Sequence, residues 1–81
     1  MITSAQMRAA RALAGVDQRE LAKKSGLSVP TIQRMEASDD VIRGNVDSLM
    51  KVIAAIDAFG IQLIDEGMLS SSGGRGVRLK P

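Results

Sequence analysis

Between Asp17 and Glu36 the chain fits two helix starts and one stop into twenty residues, and that punctuation limits the fold more than any other feature. Asp17 and Ser28 are residue types whose side chains accept a hydrogen bond from the first turn of a following helix. Gly26 lies between them and can take the left-handed conformation that ends a helix. Neither helix has room for more than roughly three turns. Leu21 and Ala22 before the glycine, and Ile32 and Met35 after it, recur at helical spacing, with Leu27 plugging the turn. Ala22 is small because the two helices must cross closely. Pro30 falls in the first turn of the second helix, where a missing N–H costs nothing.

The remaining elements follow the same logic. Thr3 with Gln6 reads as a capping box, and Met7, Ala10, Arg11 and Ala14 then mark a first helix stopped by Gly15. Asp17 with Glu20 reads as a second box opening Gln18 to Ser25. Residues 37–45 form a polar connection, after which Asn45 caps a fourth helix with apolar positions at Val46, Leu49, Val52, Ile53 and Ile56, ended by Phe59 and Gly60. The period then changes to two. Ile61 and Leu63 alternate around Gln62, a Gly/Ser-rich stretch runs from Gly67 to Gly76, and Val77 and Leu79 alternate again, which predicts a β-hairpin. Phe59 is the only aromatic residue, so the core is aliphatic, as suits closely packed small helices. The expected fold is mainly α: one domain with four helices over residues 1–60 and a C-terminal hairpin over residues 61–81.

Chemistry is restricted by what is missing. Without cysteine or histidine the chain has no thiol nucleophile, no imidazole base and no zinc-site pattern, so no enzyme, metal or cofactor is expected. The doublets Asp39-Asp40 and Asp65-Glu66 lack the ligand spacing of a calcium loop, and the run SSSGGRG lacks the ending and following helix of a phosphate-binding loop. The five scattered methionines favour packing. The longest apolar run, Val52 to Ile56, is far shorter than a membrane span, and no signal-peptide core opens the chain, so a cytoplasmic protein is expected. Charge is uneven. Residues 1–34 carry six bases against Asp17 and Glu20, net +4; residues 35–66 are net −5; Arg75, Arg78 and Lys80 make the tail +3. One end is suited to phosphates.

Two short helices around a glycine turn, with Gln18, Leu21, Ala22, Gly26, Ile32 and Glu36 at this spacing, are a helix-turn-helix pattern. Through QRELAKKSGLSVPTIQRME at positions 18–36, the chain resembles the lambda-repressor-like, Cro/cI-type (xenobiotic-response-element) family, over residues 3 to about 59. QMRAARALAGVDQ and RGNVDSL resemble a subgroup of small bacterial regulators, in which GIQLIDEG and GVRLKP resemble a recurrent C-terminal hairpin. The resemblance implies a sequence-specific, usually dimeric regulator that binds double-stranded DNA.

A recognition helix in the major groove presents its N-terminal residues and one further turn to base edges. Here these are Ser28, Val29, Pro30, Thr31 and Arg34. Arg34 suits guanine O6 and N7, Thr31 offers a hydroxyl and a methyl, and Val29 and Pro30 suit thymine methyls. Gln18 matches the family position that contacts phosphate, with Arg43, Gly44 and Asn45 expected to hold the backbone on the opposite side. Arg11 and Glu36 match family positions that form an ion pair between the first and third helices. A hairpin is marginal alone and its edges are open, so Ile61, Leu63, Val77 and Leu79 are expected at a homodimer contact, with an inverted-repeat operator. The alternative is an antitoxin that binds a toxin protein and also represses its own operon.

Overall fold

Local capping chemistry sets most of the element boundaries. The structure, a computed structural model, describes residues 2–39, 42, 45–64 and 73–81, and comprises α1 Ser4–Ala14, α2 Gln18–Ser25, α3 Val29–Glu36, α4 Val46–Ala58, β1 Ile61–Ile64 and β2 Gly76–Leu79. Thr3 and Gln6 form a complete capping box: the Gln6 N–H donates to Thr3 Oγ1 at 3.1 Å and the Thr3 N–H to Gln6 Oε1 at 2.9 Å. At α2 only half of the expected box forms. Asp17 Oδ1 accepts from the Glu20 N–H at 2.8 Å, while the Glu20 side chain stays exposed at a solvent-facing first turn. Asn45 caps α4 through the Asp47 N–H.

The α2–α3 turn depends on Gly26, whose φ of 75° is left-handed. A Cβ there would meet nothing within 4 Å, so the constraint is conformational rather than steric crowding by neighbours. The Ala22 carbonyl accepts from the Gly26 N–H, the Leu27 N–H and the Ser25 hydroxyl, which closes α2 and fixes the direction in which α3 departs.

The core joins Met7 and Ala10 of α1, Leu21 and Ala22 of α2, Ile32 and Met35 of α3, and Leu49, Val52, Ala55 and Ile56 of α4. Two expectations need correction. Val46 is 63% exposed: it lies roughly 120° around the helix from Val52, and the buried face is completed instead by Ala55. Within the polar connection, Ile42 is a core residue, held by its N–H to the Ile2 carbonyl at 3.1 Å.

The strands pair antiparallel in the register Ile61↔Leu79, Gln62↔Arg78, Leu63↔Val77 and Ile64↔Gly76. Ile61 is 1% exposed and belongs to the helical core, so the hairpin is built into the helices rather than appended to them. A second tie is polar. Gln6 Nε2 donates to the carbonyls of Ile64 and Gly76, both at 3.0 Å, so the residue that caps α1 also grips both strands at one rung.

Candidate nucleic-acid interface

Helix α3 has two unlike faces. One is anchored inside the protein through Ile32, Met35 and Glu36. Glu36 is 5% exposed; its carboxylate accepts from Arg11 Nε at 2.6 Å, Arg11 Nη2 at 2.8 Å and Gln18 Nε2 at 3.1 Å. Arg8 Nη1 donates to the Glu36 main-chain carbonyl. The hydrogen bond to Glu36 raises Arg11 above the ordinary arginine range, against the opposing effect of burial, with the nearby charges of Glu36 and Asp17 adding to it. Three donor side chains from α1 and α2 thus converge on one residue.

The other face looks outward. Ser28 caps α3 by accepting from the Thr31 N–H at 3.3 Å, and Pro30 occupies the first turn. Ser28, Pro30, Gln33 and Arg34 are exposed, while Val29 and Thr31 are half-buried. The Ser28 and Thr31 hydroxyls lie 2.9 Å apart, and Arg34 Nη2 donates to Thr31 Oγ1 at 3.2 Å. Thr31, Arg34 and Ser38 share a groove of about 310 Å³ with Asn45 and Ser48. The start of α4 therefore stands beside the outward face of α3.

Gln18 sits at the start of α2, where free N–H groups attract an anion, but its side-chain amide is turned toward Glu36. Asp17 and Glu20 flank it, offset by Arg19 and Lys23 along the same surface groove. Arg43 and Gly44 lie outside the described residues. The sequence reading missed Arg8 at the end of α3 and the hydrogen-bonded row on its outward face. An arginine one turn before Arg11 was the available signal for the first.

A glycine-turned helix pair, whose second helix is held by its buried face and its last residue and is open to solvent at Pro30, Gln33 and Arg34, defines a helix-turn-helix DNA-binding domain. Residues 7–46 match the helix-turn-helix family, and through them the chain belongs to the Cro/cI-like helix-turn-helix proteins, which are DNA-binding transcriptional regulators. No curated protein matches the chain. Among the described residues no helix is long and apolar enough to cross a membrane.

Proposed function

We propose that the protein is a sequence-specific regulator that binds an inverted-repeat operator as a homodimer, acting in the cytoplasm. Ser28, Val29, Pro30 and Arg34 contact base edges, with Thr31 beside them on the same row of α3, and Gln18, Arg43, Gly44 and Asn45 contact phosphates. The reading rests on the outward row from Ser28 to Arg34, of which Thr31 and Arg34 share a groove with Asn45. A selection from random duplexes tests it. The expected product is an inverted repeat with half-site centres about 10 to 10.5 bp apart; single half-sites or no consensus would refute it.

The hairpin supports the dimer. The Lys80 N–H donates to the Gly60 carbonyl, so the alternation of an antiparallel pair turns the backbone groups of Val77 and Leu79 to the open edge of β2. Leu79 is also 59% exposed. Deleting the hairpin would strip Ile61 from the core, so Leu79→Lys is the cleaner perturbation. It is expected to leave the helical signal intact, produce a monomer by sedimentation and weaken binding to the repeat. A variant that still dimerises places the interface elsewhere, and a wild-type monomer that pairs only with a foreign protein favours the toxin partner.

A further inference from the structure

Arginine on an exposed helix ordinarily samples many rotamers, and fixing it against a base sacrifices that side-chain freedom. Arg34 is exposed, yet its guanidinium has a partner on its own helix. Nη2 donates to Thr31 Oγ1 at 3.2 Å. That oxygen is 2.9 Å from Ser28 Oγ, and Ser28 Oγ is itself fixed as the cap, accepting from the Thr31 N–H. The row therefore runs from the guanidinium through a threonine hydroxyl to a residue that the helix start holds in place. Hydrogen bonds linked in this way polarise and steady one another.

Arginine carries five N–H donors. One directed to Thr31 leaves enough for a two-pronged contact to guanine O6 and N7. The half-buried Thr31 side chain is the less accessible of the two, so its hydroxyl is better placed to orient Arg34 than to reach a base.

We propose that Thr31 is a positioning residue for base recognition: its hydroxyl, backed by the Ser28 cap, holds Arg34 in a reading conformation before DNA arrives, so specificity at the base pair read by Arg34 depends on a side chain that does not read it. This rests on the reading above that Arg34 contacts a base. Removing the hydroxyl returns rotamer freedom to Arg34 and lowers discrimination at that base pair by about 3- to 10-fold, the worth of one net hydrogen bond. Affinity for random DNA is unchanged, because non-specific binding is set by phosphate contacts.

The test compares wild type, Arg34→Ala, Thr31→Val and Thr31→Ser in one selection from random duplexes. Arg34→Ala is expected to flatten preference at one base pair. Thr31→Val, which keeps the branched shape, is expected to weaken preference at that same base pair alone, and Thr31→Ser to restore it. Weakening at a different base pair makes Thr31 a direct reader and overturns the proposal, as does an unchanged preference profile. If Arg34→Ala flattens nothing, the underlying base-contact reading fails as well, a result distinct from the first two. A readout on the free wild-type protein needs no variant: nitrogen relaxation at Arg34 Nε is expected to report a more ordered side chain than at the exposed Arg19. Equal disorder at the two overturns the pre-positioning.

Discussion

Replacing Gln6 by glutamate sets two physical arguments against each other. Helix capping alone favours the change, since a carboxylate three residues after a threonine cap keeps the box and gains about 0.3 to 1 kcal/mol from the helix N-terminus. The hairpin opposes it. Gln6 is 4% exposed, and its Nε2 donates to the carbonyls of Ile64 and Gly76, where a carboxylate would put an acceptor against two acceptors. The least costly response is protonation. Raising a carboxyl from its ordinary pKa of about 4.3 to neutrality costs about 3.7 kcal/mol, and the protonated acid supplies one donor where the amide supplied two, a further loss of about 1 kcal/mol. Protonation also forfeits the gain from the helix N-terminus, so the cost is about 4 to 5 kcal/mol, a large share of the roughly 4 to 12 kcal/mol that stabilises a domain of this size.

The sign follows from linkage. The introduced carboxyl has a folded pKa above its unfolded value, so its protonated form favours folding; stability relative to wild type is greatest below about pH 4.3 and falls as pH rises through the folded pKa. Gln6→Met removes the same donors without adding a titrating group, and is expected to lose about 2 to 3 kcal/mol at every pH. Urea denaturation of the three proteins, followed by circular dichroism across the acidic to neutral range, checks both. A Gln6→Glu variant as stable as wild type at neutral pH, or one whose deficit does not shrink on acidification, would refute the two-strand grip.

Arg34→Ala is expected to lower affinity for the selected operator by about 1 to 3 kcal/mol while leaving the melting temperature unchanged; equal losses on operator and random duplexes in a titration would contradict a base contact. Glu36→Ala leaves the Arg11 guanidinium unpaired in a partly buried site and is expected to cost about 3 kcal/mol, with Arg11→Met combined with Glu36→Leu recovering part of it. Losses that add within about 0.5 kcal/mol in the four-protein denaturation cycle would deny the coupling. Gln18→Ala is expected to weaken binding to all sequences alike, measured as parallel loss on specific and random DNA, and also to reduce stability by about 1 kcal/mol through its bond to Glu36. A changed consensus would assign it to bases instead.

The helix starts were legible because a cap is a local event. Thr3, Ser28 and Asn45 each bond an N–H within three residues, a reach that a pattern in the chain can display. Gly26 was legible for the same reason, its left-handed φ being a property of one residue. Val46 misled because its spacing to Leu49 is helical, whereas which face is buried depends on the neighbour across the crossing, where Ala55 fits and a side chain at the start of the helix is left uncovered. The second role of Gln6 joins residues 58 and 70 positions apart, and no local period encodes such a contact. At the interface, the outward residues of α3 followed from the motif's spacing. The orientation of the Gln18 amide did not, because it depends on a carboxylate supplied by another helix and already paired with Arg11.

The division of α3 into an anchored face and an open face bears on how new binding preferences can arise. Arg8, Arg11 and Gln18 all act on Glu36, and Ile32 and Met35 supply the buried side of the helix. None of these contributes to the outward row. Pro30, Gln33 and Arg34 can therefore be exchanged for other residues with little loss of stability, whereas Ser28 is tied to the helix start and Thr31 to Arg34. A lineage copying this gene could diversify its target sequences at Pro30 and Arg34 while its scaffold stayed constant, and a library randomised there would be mostly folded protein with altered addresses on DNA.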